Sequence, residues 1–581
     1  MNMTSLPSWL TGYQRQWLSG DLTAGLIVTV MLIPQSLAYA MLAGLPPQVG
    51  LYASVLPLVV YALFGSSMTL AVGPVAVASL MTASALAPLA AAGTPEYLAL
   101  AVLLALMSGV LLFAAGLLRL GFLAYFLSHP VISGFISGSA VLITIGQLKS
   151  LLGVPLPSGN ALDTLIALAG SLDQINPVAA SIGIVSLLWL VFARKQLAPL
   201  LRKAGLSPKL ADLLTKLAPM VAVIAASAYV ATSGVDRSAG VSIVGAVPSG
   251  LPSLSLPALG WQPIQALWLP ALLISLVGFV ESVSVAQSLA LKRGQRIQPD
   301  RELLGIGAAN VASALSGGYP VTGGFARSVV NFSAGANTPA AGVISAVLMA
   351  IVIAGMTGWF HYLPHTVLAA TIIVAVTALI DIDTLKEAWH YDKADATSLL
   401  LTFAGVLLLG VEEGILLGVV LSLAVLVWRS SHPHMAVVGR MPGTEHFRNI
   451  ERHRVETLPG LIALRIDESL YFANAQLLEE KVETLIQSHP DTRSVLLILS
   501  AVNQLDATAL GTLTELEASL ASRGITLQFS EIKGPVLDRL RSTPLGQRMK
   551  DRIFLSTHQA FLAFGDRQPA AASTPSTSAQ H

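Results

Sequence analysis

The chain has 581 residues, of which 54% are hydrophobic and 11% charged, against about 25% charged in an average soluble protein. A formal net charge of +1 gives no bulk attraction for nucleic acid. Cysteine is absent, which excludes a disulfide framework, a thiolate metal site, an iron–sulfur cluster and a cysteine nucleophile.

Residues 1–21 are polar and spotted with aromatics, without the layout of a signal peptide, and read as a cytoplasmic N-terminus. From residue 22 to 428 the chain reads as a succession of membrane spans, each needing about 20 apolar residues. Clear apolar segments fall at 22–42, 49–64, 97–118, 131–148, 178–193, 217–232, 264–290, 339–358, 363–380, 397–411 and 413–428. Weaker ones at 74–91, 302–316 and 323–336 bring the expectation to about 14. With both termini cytoplasmic, 13 basic residues of the connecting loops lie inside and two, Lys149 and Arg237, outside. That bias favours an even count, as expected of a multi-pass protein of the plasma or inner membrane.

Charge divides the chain. Residues 1–428 hold 17 basic and 16 acidic residues, whereas the much shorter 429–581 holds 16 of each, the density of a soluble domain. Residues 429–457 read as a linker. Strands are expected at 461–466, 470–473, 494–499 and 526–530, with helices at 475–487, 508–522, 535–540 and 558–564. This alternation predicts one α/β domain over 458–567, followed by a disordered Pro/Ser/Thr/Ala tail at 568–581.

Two of the weak segments are the informative ones. One follows Val72-Gly73-Pro74-Val75-Ala76, the other Gly317-Gly318-Tyr319-Pro320-Val321-Thr322-Gly323-Gly324. Irregular backbone at membrane depth survives only where protein or a water-filled cavity satisfies its polar groups. Gly/Pro-interrupted segments at matching places in two halves point to inverted repeats around a midplane site. Two half-helix N-termini aimed at one point would suit an anion.

Arg327 stands early in the second of these segments, where an unpaired charge is costly. It reads either as an anion ligand or as an arginine snorkelling to the interface. Glu281 is the one acidic residue inside an expected span away from its ends, with no alternative buried carboxylate in view. It is either a proton carrier or a permanent partner of Arg327 or of backbone. Gln35 and Tyr39 share one helix face, as a site pair or as an ordinary interhelical hydrogen-bonder and a packing aromatic. No Walker A run, dinucleotide fingerprint, HExxH or GxSxG elbow occurs, so an enzyme is not expected, nor a cofactor or metal.

The runs Ile33-Pro34-Gln35-Ser36-Leu37-Ala38-Tyr39-Ala40 and Leu45-Pro46-Pro47-Gln48-Val49-Gly50-Leu51-Tyr52 resemble the signature of the sulfate permease family, also called solute carrier family 26. His129-Pro130-Val131-Ile132-Ser133-Gly134-Phe135, Pro320-Val321-Thr322-Gly323 and Phe325-Ala326-Arg327-Ser328 are similar to further family blocks, and the C-terminal part resembles a STAS domain. The resemblance implies seven plus seven inverted spans split into gate and core, a homodimer and elevator-like transport of a small anion. Sulfate-like oxyanions come first, then dicarboxylate, then bicarbonate. By position it implies that Gln35, Tyr39, Val75, Ala76, Ala326 and Arg327 line the substrate site, with Glu281 on the eighth segment, where a Glu resembles the proton-coupled or uncoupled members; Glu281 is taken as the proton-coupling residue. Many relatives carry Ser where this chain has Ala326. In the STAS-like loop, Asp506 and Thr508 match positions where anti-sigma-factor antagonists present an Asp and a phosphorylatable hydroxyl; Ala509 replaces the usual Gly there, which favours reading Thr508 as a helix cap over a phospho-switch. Membrane lipid, a coupling proton and a cytoplasmic partner of the STAS domain complete the expected partners. An uncoupled anion exchanger or channel is the alternative within transport, and a regulatory scaffold built around the STAS domain is the alternative of a different class.

Overall fold

The computed structural model describes residues 7–125, 128–154, 161–255 and 260–566, so the expected tail at 568–581 lies outside the described residues. The chain divides into two compact units, 1–422 and 423–581.

All fourteen apolar segments fall on helices. In chain order these are α1 (Leu18–Leu42), α2 (Pro47–Phe64), α3 (Ala76–Leu86), α4 (Pro95–Leu117), α5 (His129–Leu152), α6 (Pro177–Phe192) and α7 (Ala218–Ser233). Then come α8 (Trp261–Leu291), α9 (Pro299–Leu315), α10 (Phe325–Ser333), α11 (Ala340–Gly355), α12 (His365–Thr377), α13 (Lys393–Leu408) and α14 (Val411–Ser431). Among the described residues, eight helices are each long and apolar enough to cross a bilayer, or nine if the bent pair ending in α7 is one span. Their boundaries follow local chemistry. Thr94 accepts from the Tyr97 N–H ahead of Pro95, and Asn176 accepts from the N–H groups of Val178 and Ala179 ahead of Pro177.

The helices pack in two sets that are joined where α7 and α12 also lie on α1. In one, α9 lies on α4 and α2, α11 on α1 and α2, and α3 and α10 on α1 and α8. In the other, α5 meets α12 and α13, and α6 meets α12 and α7. Small residues let the first group close: a Cβ on Gly109 of α4 would stand 2.6 Å from the Val311 nitrogen of α9 and 2.9 Å from the Gly307 oxygen. Backbones approach this closely where no side chain intervenes.

The expectation of a single buried carboxylate is corrected here. Asp21 and Glu302 are both fully buried, at the first turns of α1 and α9. Glu302 accepts from the Ser66 N–H (2.8 Å) and hydroxyl (2.6 Å), the Ser67 N–H (2.9 Å) and the Tyr61 hydroxyl (2.8 Å). Each carboxylate satisfies loop N–H groups of another helix pair, which is why the fold tolerates it.

The second unit contains a six-stranded sheet in the order β4-β3-β5-β6-β7-β8. Its strands are β3 (Met435–Arg440), β4 (Phe447–Asn449), β5 (Leu461–Ile466), β6 (Ser494–Ile498), β7 (Thr526–Ser530) and β8 (Ile553–Phe554). β5 to β8 pair in parallel, and β3 pairs antiparallel with both β4 and β5. Every residue of the central strand β6 is buried, as a parallel strand covered on both faces requires. Val495 and Leu497 meet Leu478 and Leu513 of the helices Ala475–Ser488 (α15) and Ala507–Ser522 (α16). Leu496 and Ile498 point the other way, towards Ala560 of the helix Thr557–Gly565.

Two expectations differ from the structure. β3 and β4 lie within 429–457, the stretch read as a linker, because Ala436 and Val438 bury one face against the sheet. The segment 470–473 makes a single bridge, Leu470 to Leu505, rather than a strand.

Candidate functional site

Between the two halves of the membrane unit, Val72–Gly73 (β1) pairs antiparallel with Thr322–Gly323 (β2), Val72 opposite Gly323 and Gly73 opposite Thr322. β1 leads into α3 and β2 into α10. The antiparallel register means that the halves cross this point in opposite directions, so the two half-helices begin on either side of one short ladder. The first-turn N–H groups of each have no acceptor in their own helix.

Neighbouring side chains satisfy the irregular backbone. The Ser328 hydroxyl accepts from the Ala71 N–H at 2.9 Å, and Asn331 donates to the Thr69 oxygen at 2.9 Å. The Ser282 hydroxyl on α8 accepts from the Gly323 N–H at 2.8 Å. Asn310 on α9 brackets Val321, accepting from its N–H (2.9 Å) and donating to its carbonyl (2.8 Å). The hydroxyls of Tyr319 and Ser79 lie 2.9 Å apart, joining the approach to β2 with the first turn of α3.

Arg327 enters this frame from the first turn of α10, with 2% of its surface exposed. Its Nη1 donates to the Pro74 oxygen at 2.6 Å, tying the second half-helix to the approach of the first. Nε and Nη2 are buried without any hydrogen-bond partner. A guanidinium that stays charged with two nitrogens unpartnered is costly in a protein interior, and an anion is the ligand that relieves it.

The other expected residues are arranged as follows. Val75 is the N-cap of α3 and Ala76 its first residue, both buried. Ala326 is exposed in the first turn of α10. Gln35 and Tyr39 are buried on α1, each 8% exposed. Glu281 is half-buried on α8, one residue before Ser282. Tyr39, Tyr319 and Glu281 lie in the neighbourhood of Arg327. Among the described residues no hydrogen bond or close ion pair reaches Glu281, and the charged group nearest to it in effect is Arg327. Gln35 likewise makes no hydrogen bond among the described residues.

Ser79, Ser282, Tyr319, Ser328 and Asn331 were not legible as site residues. Ser282 beside Glu281, and Ser79 four residues beyond Val75, carried a positional signal that an apolar background hid.

In the second unit, Asp506 is the N-cap of α16: its carboxylate accepts from the Ala509 N–H (2.8 Å) and the Phe472 N–H (2.9 Å). Thr508 lies exposed in the first turn and does not cap the helix, which corrects the capping role weighed for it.

The sulfate permease family profile matches residues 18–402, and the STAS domain profile matches 452–560. The chain belongs to the sulfate permease family. It is 35% identical over 558 residues to a probable sulfate transporter of Mycobacterium tuberculosis, covering 96% of this chain and 97% of that one. It is also 35% identical to the chloroplastic sulfate transporter 4.1 of Arabidopsis thaliana, over 95% of this chain and 81% of the relative. Among solved structures, the murine solute carrier 26 family member A9 anion transporter in the inward-facing state superposes with a TM-score of 0.86 at 22% identity, over 96% and 93% of the two chains. The transmembrane domain of a cyanobacterial bicarbonate transporter gives 0.58 at 27% identity, over 70% of this chain and 98% of that domain. The chain is thus a polytopic helical membrane protein of an anion-transport family, with a STAS domain.

Proposed function

We propose that this protein is a secondary active transporter of sulfate or a related oxyanion, coupled to protons and working by movement of the α1–α4/α8–α11 group against the α5–α7/α12–α14 group. The observation that carries the reading is Arg327, buried with Nε and Nη2 unpartnered where two half-helices begin. Sulfate comes first because the relatives named above are named sulfate transporters. The anion accepts from Arg327 and from the first-turn N–H groups at Ala76 and Ala326, with Val75, Gln35 and Tyr39 shaping the wall.

Glu281 is the coupling group in this reading. Protonation cancels its charge, weakens its hold on Arg327 and leaves the guanidinium to the incoming anion, so proton and anion binding favour each other. In the second unit, Asp506 and Thr508 mark the face that meets a cytoplasmic partner. We place both termini in the cytoplasm, in a homodimer within the plasma or inner membrane.

The deciding experiment is uptake into liposomes carrying the full chain, with labelled sulfate, bicarbonate, fumarate or chloride, with and without a proton gradient. Sulfate uptake that rises as external pH falls supports the assignment. Sodium-dependent, pH-independent uptake would make Glu281 a cation ligand instead. Truncation after Arg429 is expected to shift the protein from dimer towards monomer by light scattering and to slow uptake, with anion binding retained.

A further inference from the structure

The far end of α10 is held as deliberately as its start. A nine-residue helix has little internal ladder of its own: its first four N–H groups and last four carbonyls lack intrahelical partners. At the C-terminal end, Arg293, from the connection between α8 and α9, donates from Nη1 to the Ala336 oxygen at 2.5 Å and from Nη2 to the Phe332 oxygen at 3.3 Å. Its guanidinium carbon lies 4.4 Å from the centre of the Phe332 ring. Immediately beyond, the buried Asp21 of α1 accepts from the N–H groups of Asn337 (2.6 Å) and Thr338 (3.0 Å) and from the Thr338 hydroxyl (2.7 Å). The Tyr13 hydroxyl reaches the same carboxylate at 3.1 Å.

A cation therefore takes one carbonyl of the last turn of α10 and one just beyond it, and an anion takes the N–H groups that follow, each charge matched to the groups it meets. At the other end, Arg327 is tied to Pro74. The short helix is pinned at both ends, by residues from three separate segments of one packing group. A basic residue in a loop of this kind is ordinarily explained by orientation bias alone. Two main-chain acceptors and an aromatic ring are more than that bias requires.

We infer that Arg293 and Asp21 are positioning residues: by fixing the C-terminal end of α10, they set where its first-turn N–H groups and Arg327 meet the anion. The inference rests on the transport reading above. A binding constellation must be held to roughly 0.5 Å, and a helix released at one end slides or frays along its axis.

The test uses the full chain with Arg293→Gln, Arg293→Lys and Asp21→Asn. Initial rates of labelled sulfate uptake in proteoliposomes give the half-saturating concentration and the maximal rate. Backbone hydrogen exchange over 325–338, in detergent without added anion, reports the clamp itself. For Arg293→Gln we expect half-saturation to rise about tenfold with the maximal rate per protein within about twofold, a loss of ground-state positioning. Arg293→Lys recovers part of the affinity, and exchange at 332–336 quickens in Arg293→Gln and Asp21→Asn. Unchanged half-saturation and exchange, with only a lower Tm, would overturn the inference. Because exchange needs no substrate, a wild type that transports no sulfate sinks the transport reading while the exchange result still decides the clamp. Should Arg293→Gln fail to insert, Asp21→Asn, nearly isosteric, carries both measurements.

Discussion

The two half-helices α3 and α10 share a backbone plan and differ in chemistry. Each follows a two-residue strand of the same ladder, and each offers free N–H groups at its start. The eleven residues of α3 carry no charge, and its first turn is Ala-Val-Ala-Ser. The nine of α10 carry Arg327, and Arg293 closes the far end. The repeat thus supplies geometry twice and a formal charge once. Dipoles alone contribute on the order of 0.3–1 kcal/mol each at exposed ends, whereas a desolvated charge-assisted hydrogen bond contributes roughly 1.5–3 kcal/mol. Affinity for an anion should therefore be lopsided, with α10 dominant and α3 a wall.

The largest effect expected is at the charged side. Arg327→Ala should reduce anion uptake by more than about a hundredfold, the loss of two or more charged hydrogen bonds, while size-exclusion behaviour stays that of the wild type. Val75→Ala on the α3 side should change uptake by less than about threefold, since it leaves the backbone N–H groups in place. Comparable losses from both variants would mean that the halves contribute equally. Next comes Glu281→Gln, which removes the titrating group without altering its size. Uptake should then proceed at a rate indifferent to an imposed proton gradient, and a persisting response would move coupling to another residue.

Two smaller effects probe the frame. A Cβ on Gly278 of α8 would come within 2.5 Å of the Thr322 methyl in β2, so Gly278→Val should overpack this crossing and cost about 1–3 kcal/mol, read as a lower Tm in detergent. Tyr319→Phe deletes the hydroxyl that meets Ser79 and should cost about 0.5–1.5 kcal/mol. The ladder should register the first change more than the second, because Thr322 belongs to β2 and Tyr319 only approaches it.

How much of this could be read beforehand depended on what each signal measures. Hydropathy located the eight helices long and apolar enough to cross a bilayer among the described residues, because burial in lipid demands a long apolar run, and it marked the short ones only as weak or interrupted segments. The half-helices were legible because Gly73-Pro74 and Gly323-Gly324 make no sense inside a continuous span. Arg327 stood out through the cost of its charge. Asp21 and Glu302 did not, since hydropathy treats the ends of a span as wet, and only the fold brings Asn337 to the one and Ser67 to the other. Strand β3 was missed because Met435–Arg440 follows closely on a membrane helix, so its alternation was absorbed into a linker. Ser282 and Tyr319 are common residues in the places where common residues occur. Their roles come from partners 41 and 240 positions away in the chain.

The Asp21 carboxylate also says something about how the protein is made. Its backbone partners lie 316 and 317 residues downstream. At ribosomal speeds of about 5–20 residues per second, α1 waits on the order of 15–60 seconds for them. Throughout that interval the nascent chain holds an acidic group at the edge of the bilayer, free to remain hydrated while nothing yet covers it. The buried form belongs only to a chain that has synthesised α10 and the turn that leads to α11. Completion of the α1–α4/α8–α11 group is therefore a late step in biogenesis, and a chain stalled before residue 337 would present an unfinished, water-facing seam to whatever surveys newly inserted membrane proteins.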